Sequence, residues 1–118
     1  MSAITFLPTT DLVETHRFYV RILGLEMVLD QGACHVYRAS GDAYWGFCSH
    51  LEPMPQPERV ILTLVVDDVP LVHAQVVERG GAPDGPVRVN ERFRIEHFFL
   101  SDPSGYRVEV QRFLHPFP

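Results

Sequence analysis

The feature that most constrains this chain is that it repeats itself. The stretch "ITFLPTTDLVETHRFYVRILGL", from residue 4, aligns with "ILTLVVDDVPLVHAQVVERGGA", from residue 61, at an offset of 57. Leu7 then meets Leu64, Asp11 meets Asp68, His16 meets His73 and Gly24 meets Gly81. Further on, "HVYRASGDAYWGFCS" aligns with "HFFLSDPSGYRVEVQ" at an offset of 62, which brings His35 to His97, Tyr37 to Phe99 and Phe47 to Glu109. Identity is low, but the element types agree throughout. One supersecondary unit used twice must bury its apolar faces against itself or its copy.

Each half reads strand, helix, strands. Residues 3–8 and 59–66 are short apolar or β-branched runs. Asp11 caps a helix, with Glu14 placed to complete a capping box, and Gly24 stops it. Asp68 caps the second helix, Pro70 sits in its first turn, and Gly80-Gly81 end it. Strand character follows at 25–30, 34–40 and 44–50, then at 86–90, 94–101 and 106–113. The stretch "EPMPQPE" at 52–58 is proline-rich and polar, a linker between module 1 (about 1–51) and module 2 (about 59–118). At 118 residues the whole is the size of one domain.

The turn Asp102-Pro103-Ser104-Gly105 fixes a register. It pairs Ser101 with Arg107, Phe99 with Glu109 and His97 with Gln111. Cross-strand partners share a face, so Phe98, Leu100, Val108 and Val110 form an apolar face. His97, Phe99, Arg107, Glu109 and Gln111 form the other. The same register in the first half pairs Ala39 with Trp45, Tyr37 with Phe47 and His35 with Ser49. This sets an aromatic face against one carrying Val36, Gly46 and Cys48. The apolar faces are expected to bury against the helices, with Gly46 admitting a helix closely. The aromatic faces, with Phe6, are expected to wall a cavity.

These residues resemble the vicinal oxygen chelate superfamily, which includes glyoxalase I, extradiol dioxygenases, and fosfomycin- and bleomycin-resistance proteins. The resemblance rests on "DLVETHRFYVRILGLEMV", "VVDDVPLVHAQVVERGGAP" and "FFLSDPSGYRVEVQ". It implies an α+β fold of two βαβββ modules, curved mixed sheets around a cavity and helices on the outer faces. Many members are dimers, which implies a homodimer here. The metal-dependent branches draw four ligands from the first and fourth strands of each module. Carried over by position these are Ile4, Phe47, Ile61 and Glu109. Only Glu109 has a donor atom, so the expectation is no metal at that position and no cofactor.

An inward Glu109 has three readings: an internal pair with Arg107 or His97, a carboxylate that contacts a ligand, or a general base. His35 and His97 stand at matching places and, with Glu109, could build an offset metal site, although no HxxH or HxH spacing supports one. His16 and His73 read as helix-surface residues. The expected ligand-binding set is Phe6, His35, Tyr37, Trp45, Phe47, Thr63, His97, Phe99, Arg107, Glu109 and Gln111. The aromatic residues read equally well as plain core. The tail "RFLHPFP" is apolar enough to lie over a cavity mouth.

The exclusions are broader. No apolar run is long enough to span a bilayer, and "MSAITFLPTTD", without a basic n-region or a proper h-region, is not expected to act as a signal peptide. A net charge of −5 argues against a nucleic-acid partner. Cys34 and Cys48 read as reduced small hydrophobes without a catalytic role, and the chain as cytoplasmic. The function expected is metal-free binding of an aromatic or cationic small molecule, of the bleomycin-resistance type. The alternative is a glyoxalase- or dioxygenase-type lyase or oxidoreductase with a non-standard site using Glu109.

Overall fold

A computed structural model describes the whole chain, residues 1–118. The first half is β1 (Ala3–Pro8), α1 (Leu12–His16), β2 (Glu26–Asp30), β3 (Cys34–Ser40) and β4 (Ala43–Cys48). The second is β5 (Ile61–Val65), α2 (Val69–Glu78), β6 (Arg88–Asn90), β7 (Ile95–Ser101) and β8 (Arg107–Phe113). The linker carries one 3₁₀ turn at Pro57–Arg59. The sheets are ordered β1-β4-β3-β2 and β5-β8-β7-β6. In each, the first strand runs parallel to the fourth and the other pairs are antiparallel. This is the expected α+β arrangement of two βαβββ modules. No helix is long and apolar enough to cross a membrane.

Local chemistry sets the helix ends. Asp11 accepts from the Glu14 amide and Asp68 from the Leu71 amide, both at 3.0 Å. The expected capping box is only half made: the Asp11 amide donates to Thr9 Oγ1, and the Glu14 carboxylate lies toward Arg17. Beyond His16 the chain continues in wider, π-helical turns over Arg17–Ile22, and Phe18, Tyr19 and Ile22 are buried there. Gly24 then ends it at φ +78°.

The second hairpin has the register expected, Ser101 to Arg107, Phe99 to Glu109 and His97 to Gln111. Gly105 closes it at φ +90°, with Asp102 facing Tyr106. The first hairpin departs. It turns through two residues, so Ser40 faces Ala43, and a bulge at Ala39 then sets Tyr37 against Trp45 and His35 against Phe47. The pairing is shifted by two from the expected one, which keeps cross-strand partners on a common face.

Parallel pairing shows the larger consequence. Phe6 faces Gly46, and Thr63 faces Glu109. The residue equivalent to Glu109 is therefore Gly46, at an offset of 63, and not Phe47. A one-residue slip reverses the faces of a strand. Tyr37 and Phe47, both 0% exposed, are helix-packed core rather than cavity wall. Tyr19 stacks on Phe47 with ring centroids 4.4 Å apart. Gly46 makes room for the Phe6 ring and not for a helix: an added Cβ would lie 2.5 Å from that ring. Gly46→Ala should cost about 1 kcal/mol, since Phe6 is 48% exposed and can swing aside. In a Phe6→Ala background the cost should vanish, and a double-mutant cycle by urea denaturation measures this.

One apolar core runs through both modules, joining Tyr19, Phe47 and Leu7 to Phe98, Leu100, Val108 and Val110. A buried polar seam also joins them. Tyr19 Oη donates to Asp102 Oδ2 at 2.8 Å and Tyr106 Oη to the Pro8 carbonyl at 2.6 Å. Ser104 Oγ donates to Thr9 Oγ1, which meets Thr15 Oγ1 at 2.7 Å. The cysteines correct a further expectation. Cys34 and Cys48 face each other across β3 and β4 and are bridged, not reduced. They lie on the face away from the helix.

Candidate functional site

The face of the second sheet turned away from α2 gathers the polar residues. Its register places Thr63, Glu109, Phe99, Arg107, His97 and Gln111 side by side over β5, β8 and β7. Glu109 is held from two directions: Thr63 Oγ1 donates to Oε1 at 3.0 Å, and His97 Nδ1 lies 2.7 Å from Oε2. Both side chains of the His97–Glu109 pair are largely buried. The contacts fix the carboxylate and the imidazole ring plane.

Phe99 lies beside this pair, its ring edge-on to His97 at 5.3 Å. The Arg107 guanidinium covers the Phe99 ring at 4.8 Å and is gripped by the Asp84 carboxylate. Asp84, Gly85 and Arg88 close the rim of a hollow of about 300 Å³ that His97, Phe99 and Arg107 line. Arg107 and Glu109 thus each have an internal partner, while Arg88 is exposed and has none.

The first-module residues of the expected set do not join this group. His35, Tyr37, Trp45 and Phe47 lie on the helix-packed face of their sheet. His35 stands 3.4 Å from Asp30 instead of meeting His97 and Glu109, so no offset metal site forms. His16 and His73, read as surface residues, are half-buried; His16 Nδ1 lies 3.1 Å from Tyr37 Oη, and His73 Nε2 donates to the Gly85 carbonyl. Phe6 alone of the first-module set is on the outer face, beside Gly46. Trp45 instead borders an apolar cleft of about 420 Å³ between the modules, with Leu64 and Val72. The C-terminal tail reaches that cleft through Phe117, stacked on Phe113.

Sequence reasoning missed Asp84 and Arg88. Asp84 belongs to a "PDGP" turn that reads only as a turn, and its amide donates to the Phe99 carbonyl. Of the four positions to which the resemblance carries metal ligands, Ile4 and Ile61 lie half-exposed on the outer sheet faces, Phe47 lies in the core, and Glu109 faces Thr63 and Phe99. One carboxylate, already engaged by His97 and Thr63, does not fit a resident metal there.

A family model described as Glyoxalase/Bleomycin resistance protein/Dioxygenase superfamily matches residues 3–110. Among solved structures, TnmS3, an antibiotic binding protein from Streptomyces sp. CB03234, is 26% identical with TM-score 0.76, covering 95% of this chain and 94% of that one. A glyoxalase/bleomycin resistance protein from the same organism is 26% identical with TM-score 0.71, covering 93% and 98%. A glyoxalase/bleomycin resistance protein/dioxygenase from Nocardioides reaches TM-score 0.81 at 14% identity, covering 99% and 85%. No curated protein matches the chain.

Proposed function

We propose that this chain, which belongs to the Glyoxalase/Bleomycin resistance protein/Dioxygenase superfamily, binds an aromatic small molecule on the second sheet without a resident metal. The observation that carries the reading is the Phe99–Arg107 stack beside a carboxylate fixed by Thr63 and His97. A planar ligand extends that stack on the free side of the guanidinium. The likeness to an antibiotic binding protein supports a small-molecule ligand. A preference for cations, expected from Glu109 alone, is weakened by His97, which already occupies one carboxylate oxygen.

The test is fluorescence titration with planar aromatic probes of both charges, proflavine as the cation and an anilinonaphthalene sulfonate as the anion. Phe99→Ala should weaken binding about tenfold or more, from the lost ring burial. Glu109→Gln should lower proflavine affinity more than sulfonate affinity. Equal affinity in wild type and Phe99→Ala would refute the reading.

The 2.7 Å His97–Glu109 contact favours a second reading, in which the pair serves as general base for a bound substrate. Turnover abolished by Glu109→Gln while probe binding persists would establish it. We also infer a homodimer. Ile4, Phe6, Ile61 and Val65 project from the outer sheet faces and are about half exposed, which a second copy would cover. Sedimentation equilibrium should give twice the chain mass, and Phe6→Glu with Ile61→Glu should give the monomer.

A further inference from the structure

Away from the groove, three soft donors converge at one end of the first sheet. Cys34 and Cys48 are cross-strand partners with Cα atoms 4.1 Å apart. His50 follows β4 directly, and its Nδ1 stands 3.7 Å from Cys34 Sγ. The three donor atoms all lie within 4.8 Å of one another, and no other three His, Cys, Asp or Glu residues in the chain do so. They border a hollow of about 320 Å³ with Phe6, Gln31 and Leu51. Cys48, expected on the helix-packed face, faces away from the helix, and Cys34 has His50 at hand.

We propose that Cys34, Cys48 and His50 are a binding site for one thiophilic divalent cation of the zinc class, and that the disulfide is the metal-free form of that site. Two thiolates and an imidazole are a common zinc donor set. Tetrahedral Zn²⁺ with sulfur at about 2.3 Å and nitrogen at about 2.1 Å sets S···N near 3.6 Å and S···S near 3.8 Å. The first spacing is already that of Cys34 and His50. The second requires only that two side chains on facing strands part once the bond between them is gone. Three protein ligands leave a fourth position open toward the hollow, the arrangement of a reactive rather than a purely structural site. Phe6 and Leu51 border the site with apolar surface.

Interconversion balances. A dithiol reductant breaks the Cys34–Cys48 bond, closes its own disulfide, and leaves one proton on each cysteine sulfur. The incoming Zn²⁺ displaces those two protons and takes the neutral His50 nitrogen without a further proton change. The chain would hold metal where thiols stay reduced and lose it on oxidation. This proposal is independent of the aromatic-binding groove, which uses other residues on the other sheet. It also concerns a different place from Ile4, Phe47, Ile61 and Glu109, where no metal was expected.

The experiment uses Co²⁺ as a spectroscopic stand-in and Zn²⁺ as competitor. The full chain is reduced with dithiothreitol, desalted without oxygen, and titrated with Co²⁺. The expected result is one equivalent bound, with a near-ultraviolet thiolate-to-cobalt band and tetrahedral d–d bands, all bleached by Zn²⁺. His50→Ala should weaken Zn²⁺ binding about tenfold or more, and Cys48→Ser should abolish the thiolate band. The air-oxidised, bridged protein should bind no Co²⁺. Absence of the band in the reduced wild type overturns the proposal. So does unchanged affinity in His50→Ala, or binding by the bridged form. His50 is exposed, so its alanine variant keeps the fold even if Cys48→Ser does not.

Discussion

Replacing Asp102 with alanine is expected to destabilise the protein by about 3 kcal/mol or more, a large share of the stability of a domain this size. Its carboxylate is buried where the modules meet and accepts three hydrogen bonds: from Tyr19 Oη at 2.8 Å, the Ser104 amide at 2.8 Å and the Tyr106 amide at 2.9 Å. Alanine leaves three buried or half-buried donors with no acceptor, each costing about 1–3 kcal/mol less whatever water regains. Asp102→Asn keeps an acceptor oxygen and should cost far less. Burial raises the Asp102 carboxyl above its ordinary range, against the lowering effect of Tyr19 and the Tyr106 and Ser104 amides. A carboxyl raised by folding adds stability that is full below about pH 4 and is lost as pH rises through the raised value. The gap between wild type and Asp102→Asn should therefore narrow from pH 4 toward neutrality. Urea denaturation across that range measures both effects, and an alanine variant within 1 kcal/mol of wild type would remove Asp102 from its place at the seam.

The same residue shows where sequence reading stops. "DPSG" announces a turn, because proline and glycine limit the backbone in ways visible one residue at a time. The register of the second hairpin followed, as did the strands, the caps at Asp11 and Asp68 and the order of elements in the repeat, but not its second offset. That Asp102 also receives a phenol from the π-helical turn of the other module is a contact across 83 residues. No local pattern encodes it.

The site divides along the same line. In the second module, His97, Phe99, Arg107, Glu109 and Gln111 could be placed on one face because Gly105 fixed the turn. In the first, β3 and β4 match β7 and β8 at an offset of 63, one residue more than the alignment of His35 with His97 gives. Side chains alternate with period two, so that single residue moved Tyr37, Trp45 and Phe47 into the core and brought Gly46 and Cys48 out. A sharper signal was present. Gly46 stands alone in a run of aromatics, and a glycine opposite Glu109 in the repeat fits a strand where Phe6 needs the room. The pairing of Cys34 with Cys48 follows from the corrected register and was hidden by the wrong one.

Alkaline pH should unfold this protein steeply, and the sequence makes the experiment unusually clean. All ten basic residues are arginine, so with the cysteines bridged only the four tyrosines titrate between pH 9 and 12. Burial raises Tyr19 well above the ordinary phenol value, with the Asp102 charge adding to it. Burial likewise pushes Tyr37 up to about 12, with Asp30 adding, and raises Tyr106, again with Asp102 adding. Each of the three keeps its proton in the folded state at a pH where the unfolded chain has lost it. Their stabilisation is full below about pH 10 and is lost as pH rises through the folded values. One such phenol contributes a slope of up to about 1.4 kcal/mol per pH unit, and three together up to about 4. The structural reason is direct. A phenolate at Tyr19 can no longer donate to Asp102, and one at Tyr106 can no longer donate to the Pro8 carbonyl. The folding free energy, followed by urea denaturation from pH 9 to 12, should fall by several kcal/mol. Tyr37→Phe should reduce the slope by about a third whatever it does to stability at neutral pH. A wild-type slope near zero over that interval would mean that these phenols sit in water, and that the stacked core of Tyr19, Tyr37 and Phe47 is not packed as described.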